Sequence, residues 1–406
     1  MAEHKNAQRE SQLLKLLREY SPAQRVIRAP DVDMGLKESE PFPFLAVIGQ
    51  REMKLALLLS VINPRVGGVL LIGSRGTAKT TAVRSLVDLL PTVSRSLCPN
   101  NLGCNEQMIE LGGMSAVCKD CATKFGYNEP LTEAARMKLT ELPLNARIDD
   151  VVGGINERAA MERKKIRLDK GILAQADNNI LYIDEVNLLD DAVIDAILDA
   201  SAQGFYTVRR GPHRLTYRSR FVLIGSMNPE EGRLRPQIMD RFGLRAIVRG
   251  LHDPQERYDA YELALWHQRN SESLSAAYAE ATLQLAQEVQ DASNRLSDVV
   301  ISEEAKLFGL EIVQQAQVES NRAEITLFEA ARAHAAADER LEVLRTDIEA
   351  VALLALRQRQ SAELLRFFEA QNEEDAQLEA ILETVQPPPK KRPRKKKKTT
   401  AVEEAE

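Results

Sequence analysis

Eight consecutive residues, Gly73-Ser74-Arg75-Gly76-Thr77-Ala78-Lys79-Thr80, combine small side chains with one lysine and one terminal hydroxyl. A loop with little side-chain bulk can wrap a phosphate in backbone N–H groups, and a helix that starts behind it adds partial positive charge. In such a loop Lys79 reaches the β- and γ-phosphates of ATP, and the Thr80 hydroxyl ligates Mg²⁺. Further along, the apolar run Ile180-Leu181-Tyr182-Ile183 ends in Asp184-Glu185. Asp184 there would hold Mg²⁺ through water, and Glu185 would polarise an attacking water as general base. Asn228 follows a third apolar run, Phe221 to Gly225. An amide at that strand tip can orient water or touch the γ-phosphate. The chemistry these residues can do is hydrolysis of ATP with Mg²⁺ as cofactor.

The surrounding elements must bring these pieces to one edge. Gly68-Val69-Leu70-Leu71-Ile72 reads as a buried strand entering the loop, and Thr81 to Val87 reads as the helix leaving it. Ala78 stands where the usual loop has a second glycine, and alanine tolerates positive φ poorly. Upstream, Pro41-Phe42-Pro43-Phe44 opens the folded part, with Ile48-Gly49-Gln50 and the helix-like Met53 to Leu59 behind it. Downstream, a charged helix is expected around Glu157 to Lys165. Residues 188–204 form a helix with Leu188, Leu189, Val193, Ile194 and Ile197 on its apolar side. Phe205 to Tyr217 reads as a hairpin turning at Arg209-Arg210-Gly211-Pro212. Its arginines, Arg209, Arg210, Arg214 and Arg218, suit either a solvated face or a partner. Arg241 follows Asp240 and is placed to act as an arginine finger on a neighbouring subunit, to pair with Asp240, or both. Residues 252–365 are helix-rich, and Arg322 near the start of one helix suits a second phosphate-sensing arginine.

All four cysteines, Cys98, Cys104, Cys118 and Cys121, fall within residues 92–130 in the spacing C-x5-C-x13-C-x2-C. The last pair has zinc-knuckle spacing. A structural Zn²⁺ site, unligated thiols and a redox-labile Cys118/Cys121 pair are the readings this spacing allows.

Apolar residues make up 44% of the 406, enough for a sizeable core, and no stretch of 18 apolar residues offers a membrane span. The start Met1-Ala2-Glu3-His4-Lys5 has no apolar signal core, which leads to the expectation of a cytoplasmic protein. The net charge of −6 is uneven: residues 387–406 carry 8 Lys and Arg against 3 Glu, and the remainder carries 46 basic against 57 acidic residues. An acidic body argues against nucleic acid as a partner. Residues 1–40 look peripheral apart from a short helical pattern at Ser11 to Tyr20. Residues 371–406 form a Pro/Lys-rich tail expected to be disordered, as a solvated extension or a docking segment.

Residues from about 41 to 365 resemble the I subunit of magnesium chelatase, an AAA+ protein. The resemblance rests on Phe42-Pro43-Phe44, Ile48-Gly49-Gln50, Arg75-Gly76-Thr77, Tyr182-Ile183-Asp184-Glu185-Val186-Asn187-Leu188-Leu189, Asn228-Pro229-Glu230-Glu231-Gly232 and Leu234 to Leu244. It implies an α/β fold: an AAA+ P-loop NTPase core with a parallel sheet and inserted hairpins over 41–250, and a C-terminal α-helical lid over 251–370. It implies a hexameric ring, a D-type subunit with an integrin-like domain and an H-type subunit that binds porphyrin. It implies a motor driving Mg²⁺ insertion into protoporphyrin IX, with Arg241 as the finger and Arg322 as the sensor-2 arginine. The cysteine insert resembles insertions in cobalt-chelatase-like homologues. A cobaltochelatase-like ATPase, a MoxR-type remodeller and a non-catalytic ring member are the alternative readings.

Overall fold

Three apolar strands carry the architecture, and their side chains divide by parity. In β1 (Val69–Ile72), β5 (Ile180–Ile183) and β8 (Val222–Met227) every residue is buried. Val69, Leu71, Ile180, Tyr182, Val222 and Ile224 join one core cluster, while Leu70, Ile72, Leu181, Ile183, Leu223 and Met227 join another. Alternate residues of a strand point to opposite faces, so a continuous apolar run means a sheet covered on both sides. The computed structural model describes residues 40–154, 170–210, 213–232, 234–318 and 320–359.

In chain order the elements are α1 (Arg51–Ile62), β1, α2 (Lys79–Arg84), β2 (Thr92–Ser96), α3 (Glu106–Gly112), α4 (Lys119–Gly126), β3 (Thr132–Arg136), β4 (Leu139–Leu142), α5 (Ile148–Val152), α6 (Ile172–Gln175), β5, α7 (Asp191–Gln203), β6 (Phe205–Arg210), β7 (His213–Arg218), β8, α8 (Pro236–Arg241) and β9 (Leu244–Ile247). The helical remainder is α9 (Pro254–Arg269), α10 (Ser271–Arg295), β10 (Val300–Ile301), α11 (Glu303–Gln315), α12 (Arg322–Ala337), β11 (Glu342–Val343) and α13 (Arg345–Leu356). The central sheet is parallel in the order β4-β5-β8-β1-β9. The loop after β1 therefore lies beside the tip of β8, with β5 one strand further on. Ligands gather at that carboxyl edge of an open parallel sheet.

Local signals set the helix starts. The Asp253 carboxylate accepts the Gln255 N–H at 3.0 Å ahead of Pro254, Asn270 caps Ser273, and Ser302 caps Ala305. Helix α1 is buried from Met53 to Ile62, so it shows no polar stripe. Among the described residues no helix is long and apolar enough to cross a membrane.

Several expectations shift. Leu188 lies in a short 3-10 turn ahead of α7 and is exposed, off the apolar side assigned to it. The hairpin strands reach Arg210 and resume at His213, so Arg209 and Arg210 belong to a strand and not to the turn. Three pairings add to the expected elements: the antiparallel ribbon β2–β3 bracketing the cysteines, the edge strand β4, and the parallel pair β10–β11 inside the helical region. Each is short, polar or both, so hydrophobic periodicity could not reveal it. The helices expected at Ser11 to Tyr20 and Glu157 to Lys165, and the tail over 371–406, lie outside the described residues.

Candidate active site

The loop from Gly73 to Ala78 runs from the end of β1 to the start of α2. Gly73 is required by crowding, since a Cβ there would overlap the Val248 carbonyl oxygen. Ala78 takes φ +63°, the left-handed conformation that glycine adopts freely. A non-glycine residue there costs roughly 1–2 kcal/mol. Ala78→Gly is therefore expected to stabilise the chain by about 0.5–1 kcal/mol after the greater freedom of glycine in the unfolded chain is counted. The check is the urea midpoint at constant m-value. A loss of stability would show instead that the half-buried Ala78 methyl contributes packing against the core.

Lys79 is buried and donates to the Gly73 and Ser74 carbonyls, each at 2.7 Å. Burial lowers its pKa, opposed by the nearby charges of Asp184, Glu185 and Glu231. Thr80 donates to Asp184 Oδ2 at 3.0 Å. Thr80 and Asp184, the residues that would hold Mg²⁺, the carboxylate through water, thus stand side by side in the cleft. Burial of Asp184 disfavours its charge. Hydrogen bonds from Ser226, Tyr182 and Thr80, with Lys79 nearby, outweigh that and hold its carboxyl below the usual range.

Two residues that sequence reasoning missed set the Asp184–Glu185 geometry. The Ser226 hydroxyl, fully buried at the end of β8, donates to Asp184 Oδ1 and accepts the Glu185 N–H at 3.1 Å. Tyr182 donates to Asp184 Oδ1 at 2.9 Å, and burial pushes its own pKa up. Tyr182, on β5, lies two residues before Asp184, whereas Ser226 comes from the neighbouring strand β8, a signal readable only once the strand order is known. Glu185 takes φ +50°, backbone strain of the kind kept at functional positions. Asn228 is buried, and its side-chain oxygen accepts the Glu230 N–H at 3.2 Å. Its amide group remains as a donor for a ligand.

Lys79, Thr80, Asp184, Glu185 and Asn228 line one cleft of about 200 Å³. Gly76, Thr77, Ala78 and Thr81 also line a second, larger and more apolar hollow of about 630 Å³. Its far wall includes Phe42, Ile48, Gln50, Leu251 and His267. A charged cleft joined to an apolar hollow by the loop matches a triphosphate joined to a base. Arg75 bridges the loop to Glu231 and, at 3.5 Å, to Glu185. Among the described residues, both polar atoms of Asn187 and Glu231 Oε2 are buried without hydrogen-bond partners, so the motifs flanking the cleft hold unmet capacity.

The two remaining arginines lie apart from this cleft. Arg241 does not pair with Asp240. It donates to the Leu198 carbonyl at 3.2 Å and stands 3.6 Å from Asp199. Asp240 instead binds Arg359 at 2.9 Å and Arg322 at 3.5 Å. Arg322 thus meets Asp240 and does not line the phosphate cleft, as α12 packs against the helices α13, α10 and α1. Arg359, whose side chain is fully buried, also donates to the Gly243 carbonyl at 2.9 Å. Nothing in the local sequence singled it out.

The four cysteines do converge. One ligand atom from each lies within 4.8 Å of all the others.

The AAA domain (dynein-related subfamily) matches residues 68–242 of this chain, and the AAA lid domain matches residues 311–383. The chain is 40% identical over 316 residues to the magnesium-chelatase subunit ChlI homolog of Methanocaldococcus jannaschii, covering 78% of this chain and 84% of that protein. It is 39% identical over 321 residues to magnesium-chelatase subunit ChlI of Olisthodiscus luteus, covering 78% and 90%. The corresponding figures for magnesium-chelatase subunit ChlI of Synechocystis sp. are 38% over 319 residues, covering 78% and 88%. An AAA core carrying the phosphate loop, the Asp184–Glu185 pair and Asn228, followed by a helical lid, is thus joined to similarity along most of the chain: it belongs to the magnesium-chelatase subunit I (ChlI) family of AAA ATPases.

Proposed function

We propose that this chain is the ATP-hydrolysing motor subunit of a chelatase that drives Mg²⁺ insertion into protoporphyrin IX. The observation that carries the reading is the single cleft in which Lys79, Thr80, Asp184, Glu185 and Asn228 meet. ATP and Mg²⁺ are the cofactors, with the loop backbone and Lys79 on the phosphates and Thr80 and Asp184 on the metal. Glu185 activates water, and Asn228 positions it or the γ-phosphate. Residues 41–250 form the motor and 251–370 the lid.

The motor works as a homo-oligomeric ring, a hexamer, with a D-type and an H-type subunit. Arg241 and Arg322 flank Asp240 away from the chain's own cleft, a placement that suits reaching a neighbour's nucleotide. Arg209 and Arg214 stand opposite each other on the β6–β7 hairpin, and both are exposed. Like charges across a strand pair repel, so an acidic partner surface would relieve them.

The test is reconstitution. Purified chain is expected to hydrolyse ATP unaided. Metalloporphyrin should form only when D- and H-type subunits are added, and should be lost with Lys79→Ala. Metalloporphyrin made by the chain alone with porphyrin, Mg²⁺ and ATP would refute the motor-subunit reading. Insertion of cobalt in place of magnesium by the complete set would reassign the delivered ion to a cobaltochelatase-like complex.

A further inference from the structure

The segment between β2 and β3 takes no part in the nucleotide chemistry, and its interior is sulfur more than hydrocarbon. Cys98, Cys104, Cys121 and Leu131 are buried, with Ile109, Val117 and Cys118 half-covered around them. Leu111, Met114, Phe125 and Tyr127 are exposed. One buried leucine supplies roughly 1.5–3 kcal/mol, far short of the conformational entropy lost on ordering such a segment. Something else must hold it.

The sulfurs have the spacing a metal needs. Cys98 Sγ and Cys118 Sγ are 3.7 Å apart. A tetrahedral Zn²⁺ with Zn–S bonds of about 2.3 Å sets its sulfurs about 3.8 Å apart. All four cysteines are free thiols. Donors face the sulfurs too: the Cys118 N–H meets Cys104 Sγ at 3.4 Å, and the Asn100 amide meets Cys118 Sγ at 3.6 Å. Such contacts suit thiolates, whose charge they spread.

The loop between Cys98 and Cys104 is also where the insert grips the motor. The Arg218 N–H donates to the Asn101 carbonyl at 2.9 Å, and its guanidinium donates to the Gly103 carbonyl at 3.1 Å. A Cβ on Gly103 would collide with that guanidinium. The Asn101 amide donates to the Ala174 carbonyl at 3.0 Å, just ahead of β5. Arg218 closes the β6–β7 hairpin and stands 3.5 Å from Asp177. It is therefore an anchor of the hairpin and is removed from the four arginines available to a partner.

We propose that Cys98, Cys104, Cys118 and Cys121 bind one Zn²⁺ as thiolates, and that the ion holds the Asn101–Gly103 loop against Arg218 and so fixes the base of the hairpin. Four Zn–S bonds form, the thiol protons pass to solvent, and no electrons move.

The test uses the full chain purified without added metal. Elemental analysis is expected to find about one zinc per chain, with the thiols protected until a strong chelator is added. Cobalt substitution should give the visible bands of a tetrahedral thiolate site. Chelation should speed amide exchange at β6 and β7 while leaving β1 and α2 unchanged. Cys121→Ser should lose the zinc. Should that variant misfold, chelation of the native chain carries the test. Less than about a tenth of an equivalent of zinc with four freely titrating thiols overturns the site. Iron with inorganic sulfide in its place also overturns it. Zinc removed with hairpin exchange unchanged overturns the anchoring role.

Discussion

Glu185→Gln is expected to bind ATP nearly as well as the native chain while turning it over at least about 10²-fold more slowly, the scale for losing a general base. The substitution keeps size and removes only the carboxylate. Lys79 is held by the loop carbonyls and Thr80 pairs with Asp184, and Arg75 keeps its pair with Glu231 when its 3.5 Å ion pair with Glu185 is lost. The Glu185 backbone is fixed by Ser226, so the side chain is aimed and not free to be replaced by a neighbour. Glu231 is the control, because Arg75 ties it to the same cleft. Single-turnover hydrolysis with separately measured nucleotide affinity gives the comparison. Near-normal turnover in Glu185→Gln, with the loss appearing in Glu231→Gln, would transfer the role of base to Glu231.

Arg241→Ala is expected to lower hydrolysis by about 10³-fold or more, the range over which an arginine finger acts. Arg241 does not line the chain's own cleft. Its partner Asp199 is largely exposed, with 64% of its side-chain surface in contact with solvent. A pair that open contributes less than about 1 kcal/mol, so leaving it for a phosphate costs little. The Asp240 next to it is held by buried Arg359 and by Arg322, which keeps the end of α8 in place while the Arg241 side chain moves. Mixing Arg241→Ala chains with Glu185→Gln chains, each inactive alone, should restore part of the activity wherever an intact finger meets an intact base. Confirmed mixed rings with no rescue would count against action between subunits.

The sequence alone carried the phosphate loop, the acidic pair and the three central strands, for two physical reasons. Phosphate binding is done by backbone and a few adjacent side chains, so Gly73 to Thr80 holds its chemistry in one contiguous stretch. Strands covered on both faces need every residue apolar, as Val69 to Ile72 and Ile180 to Ile183 are. The cysteine spacing likewise suggested a metal, yet spacing leaves the distances open, and only the fold brings the four sulfurs together. Tertiary structure decided the rest. Ser226 became a partner of Asp184 because β8 pairs with β5 at the loop, which no local signal states. Arg322 reached Asp240 across 82 residues and Arg359 reached it across 119, which moved both away from the cleft that Arg322 was expected to face. Periodicity and turn chemistry report what a residue needs from its nearest neighbours. The choice among many chemically equal carboxylates for one arginine is made by how whole helices pack, and that lies beyond any window along the chain.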